Sequence, residues 1–301
     1  MLKYLFILLY ISTNYSYKTT FNNFIYKKNL ENNYNKNDDV INVLNNMKKS
    51  ALHINKIISL SYLNDIDYIN NYNSVTYNVH NEKQKRIDLL ANNIIKKNLE
   101  SQNIVNVVYS EEEVCETIIN IKSSSKIILA YDPLDGSSNI ESSMPMGTIF
   151  GLYKDCLNFN SNIDSINKLN MISAGYILYS SSIHLVFYLD RIVYHFIYDE
   201  YKKDFILFND KIKIPNKGNI YSINEAKINN FKSYHKNFID ELKQKDYTSR
   251  YHGCLVADFH NILINGGIFM YPKDIKNNKN KLRLLYEAKP LAKIIEHCGG
   301  I

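Results

Sequence analysis

Three groups of carboxylates each follow a run of strand-like residues. Glu111, Glu112 and Glu113 come after Ile104 to Tyr109. Asp132 and Asp135 come after Lys126 to Tyr131, and Glu287 comes after Leu282 to Tyr286. Ligands bind at the ends of strands in open α/β sheets. Acids that converge there repel one another unless a cation neutralises them. A hard divalent ion such as Mg²⁺ takes oxygen ligands and keeps positions open for water or phosphate. Convergence of these acids would therefore make a metal site for phosphate chemistry.

The second group sits inside DPLDGSSN, residues 132 to 139. Pro133 fixes its own φ, and Gly136 lets backbone approach a ligand closely. Ser137 and Ser138 follow with amide and hydroxyl donors, the kind of concavity that cradles phosphate. An isolated D-x-x-D pair is more often a turn or a helix cap. The longer string favours a clamp with metal on one side and amides on the other.

Elements must bring these groups together. Apolar spacing predicts one or two helices over residues 40 to 61 and another over 83 to 100. Residues 64 to 82 read as a long polar loop. Strands are predicted at Ile104 to Tyr109, Lys126 to Tyr131 and Thr148 to Tyr153, with a loop over 155 to 170. Residues 172 to 198 read as strands with turns near Ser180 and Asp190, and 205 to 214 as a strand pair turning at Asn209-Asp210. Pro215 to Lys217 marks a boundary between an N-terminal half, 38–214, and a C-terminal half, 215–301. Beyond it we expect helices at 226–245, 256–264 and 290–297, with Pro290 in the first turn of the last. Strands are expected at 268–271 and 282–286. The class is α/β or α+β, in layers.

The composition narrows the function. The 301 residues carry a net charge of +6, thinly spread. A nucleic-acid binder would gather its cations into a stripe, so that class is not favoured. Four cysteines at scattered spacings fit neither a zinc pattern nor a disulfide framework, and read as reduced thiols. Residues 1–37 read as a targeting segment or a disordered extension. Lys3 precedes an apolar run, Tyr4 to Ile11, that is signal-like but too short for a stable membrane span. The expected compartment is the cytoplasm or a plastid-like organelle.

DPLDGSSN followed by GTIFGLY (147 to 153) closely resembles the signature of class I fructose-1,6-bisphosphatases. The resemblance runs in order through KRIDLLAN (85 to 92), YSEEE (109 to 113), SAGYILYSS (173 to 181), YSINEA (221 to 226), RYHGCLVADFH (250 to 260), NGGIFMYP (265 to 272) and KLRLLYEAKP (281 to 290). It implies the sugar-phosphatase fold, five layers ordered α-β-α-β-α. It implies Mg²⁺, with Mn²⁺ or Zn²⁺ as substitutes, held by Glu111, Glu112, Asp132, Asp135, Glu287 and the Leu134 carbonyl. Asp88 and Glu112 would activate the attacking water. Gly136, Ser137 and Ser138 would hold the reacting phosphate, and Asn224, Tyr251, Tyr271 and Lys281 the sugar and its other phosphate. Tyr286 would pack near the sugar. Arg250 would reach a neighbouring subunit's substrate, which implies a homodimer or homotetramer.

Two departures qualify that reading. Glu82 stands where the family carries an Asp in its catalytic loop. The family continues past a Gly-Gly pair like Gly299-Gly300 with a further strand and helix, so the C-terminal elements are expected to be truncated here. The implied substrate is fructose 1,6-bisphosphate. The alternatives are a sedoheptulose-1,7-bisphosphatase, disfavoured by Asn139 and by the Gly267 to Pro272 block, and a truncated non-catalytic remnant.

Overall fold

The computed structural model describes residues 19–31, 38–61, 85–100, 104–119, 127–154, 169–276 and 282–301. Its helical N-terminal region begins with α1 (Phe21–Glu31), followed by α2 (Asp38–Leu60) and α3 (Arg86–Glu100). The spacing in α2 gives one continuous helix, whose Val40, Val43, Leu44, Met47, Ala51 and Ile54 are all buried. These positions recur at three- and four-residue intervals, as one helical face requires.

Helix α1 lies within the 1–37 stretch expected to be a targeting segment or disordered extension, and over Phe21–Glu31 it is an ordered part of the fold. Phe21 and Phe24 are buried and pack edge-on against Phe187 and Phe196, and Phe24 also meets Tyr194. Lys48 of α2 ties the helix down by donating to Asn22 Oδ1 and Asp204 Oδ1, each at 2.9 Å. Residues 1–18, which hold the apolar run, lie outside the described residues.

Eight strands form the main sheet: β1 (Val105–Ser110), β2 (Thr117–Ile118), β3 (Ile127–Asp135), β4 (Met146–Lys154), β5 (Asn170–Tyr179), β6 (Ile183–Leu189), β7 (Ile192–Asp199) and β8 (Asp204–Asn209). Their order is β2-β1-β3-β4-β5-β6-β7-β8. Within this sheet, among the described residues, only β1 and β3 pair in parallel; β3 to β8 run as an antiparallel meander. The single strand β8 replaces the predicted pair over 205–214. After Asn209 the chain makes a bend, and Ile212 N returns to Val193 O at 3.0 Å.

The C-terminal region holds β9 (Ile220–Ser222), α4 (Ser233–Gln244), β10 (Thr248–Ser249), α5 (Leu255–Asn265), β11 (Ile268–Phe269) and α6 (Lys289–His297). The helix expected over 226–245 is split into a 3₁₀ turn, Glu225–Asn230, and α4. The three short strands make a parallel sheet, β10-β9-β11.

Packing follows from the two faces of the main sheet. One face joins α1, α2 and α3 in the largest apolar cluster, which includes Leu129, Tyr131, Phe150, Phe187 and Phe196. The other face meets α5 and α6 through Ile149, Ala174, Tyr176, Val186, Val256, Phe259 and Ile294. Gly147 allows β4 and α5 to approach this closely, since a Cβ there would lie 2.4 Å from the Val256 Cβ. The small sheet packs on α4 through Tyr221, Ile223, Ile239 and Leu242. Among the described residues no helix is long and apolar enough to cross a membrane.

Candidate active site

The ends of β1 and β3 bring the first two carboxylate groups together. Glu111 follows β1, and its N–H donates to Tyr131 O at 3.1 Å. Asp132 and Asp135 lie on β3 itself, where a register shift opposite Ile149 and Gly147 accommodates the Pro133-Leu134 pair. The Asp132 carboxylate accepts from Leu134 N–H at 3.0 Å, which shapes this turn from within.

Glu287 arrives by a different route from the one expected. Residues 282–286 are not a strand; Leu284–Ala288 form a π-helical turn that runs directly into α6. Its i→i+5 bond is explicit, from Ala288 N–H to Arg283 O at 2.9 Å. A short apolar run cannot be told from a buried helical segment by periodicity alone. The wide turn leaves Glu287 buried and lets it accept from the Arg283 N–H.

Glu111, Asp132 and Glu287 each offer an oxygen within 4.8 Å of the other two, and all three are buried. Burial, with the charges of Glu111, Asp135 and Glu287, holds the Asp132 carboxyl well above the usual range. Burial and the Glu111 charge push Glu287 up to about 8. Asp135 is raised to about 6, again chiefly by burial. Arg283 is the cation present in the cluster, at 2.8 Å from Glu111 and 3.8 Å from Glu287. An all-oxygen set of crowded, buried carboxylates suits a hard divalent ion. Glu113 takes no part: it turns away to accept from Asn92 at 2.8 Å and from Lys96 at 2.7 Å, and also pairs with Thr117.

These acids line a cleft of about 260 Å³ together with Asp88, Glu112, Leu134, Gly136, Ser137, Ser138, Tyr251 and Tyr271. Gly136 is left-handed, with φ +74°, and starts the 3₁₀ turn Ser137–Ser142. A Cβ at Gly136 would come within 2.7 Å of the Cys254 Cβ, so only glycine fits this crossing. Asn139 locks the turn by donating to Pro145 O at 2.9 Å and His252 O at 3.0 Å.

Asp88 stands at the first turn of α3, above this loop. Its Oδ2 accepts from Lys85 N–H at 2.8 Å and Ser137 Oγ at 3.3 Å. Its Oδ1 is buried and has no hydrogen-bond partner among the described residues. Burial raises the carboxyl to about 6, which suits a proton acceptor working near neutrality.

The remaining predicted residues fall around the cleft with different fates. Asn224 Nδ2 lies 3.4 Å from the Tyr251 hydroxyl, and Tyr271 lines both the acidic cleft and an adjoining hollow shared with Asn224. Arg250 donates to Ser249 O and is exposed, outside the residues that line the cleft. Tyr286 packs on Ile128, Ala130 and Tyr153, behind the acids. Lys281 and Glu82 lie outside the described residues.

Sequence reasoning missed three residues of the cleft. Cys254 Sγ and Val256 N–H donate to Asp135 Oδ2 at 3.0 and 2.8 Å, which ties the start of α5 to the DPLDG turn. Asp258 accepts from His252 N–H at 2.9 Å and from its ring at 2.7 Å. Arg283 bridges two acids. No local spacing signals the contacts of Cys254 and Val256 with Asp135 or of Arg283 with Glu111, because each joins segments far apart in the chain.

Comparison with known proteins agrees with this geometry. Residues 19–210 match the fructose-1-6-bisphosphatase N-terminal domain family, and residues 214–301 match the C-terminal domain family. The chloroplastic fructose-1,6-bisphosphatase of Spinacia oleracea is 38% identical over 247 residues, covering 74% of this chain and 59% of that protein. Fructose-1,6-bisphosphatase 1 of Rattus norvegicus is 40% identical over 231 residues, 64% of its length. The chain thus spans about three fifths of the length of these relatives. The crystal structure of holo Leishmania major fructose-1,6-bisphosphatase superposes with a TM-score of 0.83 at 33% identity, covering 94% of this chain and 87% of that one. Both halves of the chain and the strand ends that gather the acids thus point to one conclusion: this chain belongs to the fructose-1,6-bisphosphatase family.

Proposed function

We propose that this protein hydrolyses the 1-phosphate of fructose 1,6-bisphosphate, giving fructose 6-phosphate and phosphate. The observation that carries the reading is the convergence of Glu111, Asp132 and Glu287 beside the Gly136-Ser137 turn. Family membership supports it, as do the names of the relatives.

Glu111, Glu112, Asp132, Asp135, Glu287 and the Leu134 carbonyl would hold Mg²⁺, or Mn²⁺ or Zn²⁺ in its place. When bound, such ions supply Lewis acidity toward phosphoryl oxygens and make water a better nucleophile. The residues of the chain do the rest. Gly136, Ser137 and Ser138 hold the reacting phosphate against the acids. Asp88, with Oδ1 free to accept and Oδ2 fixed by Lys85 and Ser137, takes the proton of the attacking water, aided by Glu112. Asn224, Tyr251, Tyr271 and Lys281 orient the sugar and its second phosphate, with Tyr286 supporting them from behind. The exposed position of Arg250 suits a role at a neighbouring subunit's site, and hence a homodimer or homotetramer. The packing order of helices, main sheet, α5 and α6, small sheet and α4 supports the five-layer reading.

The test is phosphate release from fructose 1,6-bisphosphate with and without Mg²⁺, set beside sedoheptulose 1,7-bisphosphate and an Asp132→Ala variant. Mg²⁺-dependent release that favours the fructose ester and is lost in the variant supports the proposal. Folded protein that releases no phosphate from either ester, or that prefers sedoheptulose, overturns it.

A further inference from the structure

Three imidazoles from three elements meet on the sheet face that α5 covers. His184 lies on β6, His195 on β7 and His260 on α5, and one ligand atom from each lies within 4.8 Å of the others. The ring centroids are 4.9 Å apart for His184–His260, 5.1 Å for His184–His195 and 5.4 Å for His195–His260. The cluster lies three and four strands away from β3, which carries Asp132 and Asp135.

The surroundings orient these rings. The Tyr176 hydroxyl lies 2.7 Å from His260 Nδ1, and Ser182 Oγ lies 2.8 Å from His184 Nε2. When each hydroxyl accepts the ring N–H, the lone pairs fall on His260 Nε2 and His184 Nδ1. His184 Nδ1 in turn lies 2.8 Å from His195 Nε2. His195 is 2% exposed, and its Nδ1 is buried with no hydrogen-bond partner among the described residues. Burial keeps all three rings neutral near pH 7, pushing His195 and His260 down to about 3 and lowering His184. Neutral imidazole is the form that ligates metal.

We propose that His184, His195 and His260 form a second metal site, for a borderline transition-metal ion of the Zn²⁺ class. The donor set is all nitrogen and uncharged, which selects Zn²⁺, Cu²⁺ or Ni²⁺ over Mg²⁺. Three histidines with one open position are an established zinc arrangement. Tyr176 and Ser182 supply the outer hydrogen bonds that fix ring orientation around such ions. Bonds of about 2.0–2.1 Å would set the nitrogens roughly 3.4 Å apart. His184 Nδ1 and His195 Nε2, now 2.8 Å apart, would open toward that spacing as the ion enters. The proton shared between His184 Nδ1 and His195 Nε2 moves to His195 Nδ1 as the ion enters, so the three ligands stay neutral.

Co²⁺ titrated into the metal-free full chain tests this. Co²⁺ on oxygen ligands in octahedral geometry absorbs weakly, whereas a tetrahedral nitrogen site absorbs strongly in the visible range. One equivalent should give the strong absorption, and Zn²⁺ but not Mg²⁺ should abolish it. His184→Gln and His260→Gln should each weaken binding at least tenfold, while Asp132→Ala should keep the absorption. No strong absorption from the unsubstituted protein overturns the proposal, whatever the variants do. Absorption lost in Asp132→Ala but kept in the histidine variants also overturns it.

Discussion

The acidic cleft and the histidine cluster draw on the same eight-stranded sheet, and burial acts on them with opposite sign. In the cleft it disfavours the charged carboxylates, so Asp132, Asp135 and Glu287 hold protons further up the pH scale than exposed acids do. In the histidine cluster it disfavours the charged imidazoles, so His195 and His260 hold no proton near neutrality. The first cluster becomes a ligand set only when a cation replaces its protons. The second is already neutral. Among the described residues the cleft also has a left-handed glycine turn and a hollow of about 260 Å³, which the histidine cluster does not share. Proximity of ligand atoms alone, which both possess, does not separate a catalytic centre from a binding site.

The sharpest way to break this contrast is at Asp88. If it accepts the proton in the cleft, Asp88→Asn should lower kcat by about 10²- to 10⁴-fold with a small change in KM. An equal loss carried by KM alone would reduce Asp88 to a scaffold for Ser137. Gly136→Ala comes next, because it forces a left-handed residue against Cys254. It should cost about 1–3 kcal/mol in chemical denaturation and impair phosphate release. Tyr176→Phe addresses the other cluster. Loss of the hydroxyl on His260 should weaken Zn²⁺ binding by about 10- to 100-fold in a competition assay, and leave Mg²⁺ activation untouched.

The smallest effects concern pH, and they oppose each other. The acids of the cleft have folded-state values above the unfolded carboxylate range. In metal-free protein their contribution therefore destabilises progressively as pH rises from about 4 to about 8, where Glu287 ionises. His195 and His260 have folded-state values near 3, below the unfolded value of 6.5. Their contribution destabilises as pH falls from about 6.5 toward 3. Melting temperatures of the metal-free protein should follow both trends. Mg²⁺ should offset the loss at high pH and leave the acid limb in place.

Much of the cleft was legible in the chain. DPLDGSSN announces its own geometry, since proline restricts the backbone and glycine frees it in ways that depend only on local sterics. The periodicity of α2 and α3 was equally plain. Helix α1 was less so, although Phe21, Phe24 and Ile25 sit at helical spacing. The asparagine and lysine around them mask the pattern, and the aromatic cluster that holds the helix comes from β6 and β7. The run 282–286 reads as a strand because leucines and tyrosine suit either element in isolation.

What the amino-acid sequence determined by itself is therefore the local grammar: the turn that presents Asp132 and Asp135, the apolar faces of the long helices, and the ordered blocks that identify the family. What the tertiary structure decided is convergence. Glu287 reaches Glu111 and Asp132 through a π-helical turn, Cys254 reaches Asp135 from the start of α5, and His260 meets His184 and His195 across the sheet. Each of these depends on which distant surfaces pack together. Turn geometry and amphipathic spacing arise from interactions within a few residues, whereas the desolvation and mutual repulsion of clustered groups exist only once the chain has closed around them.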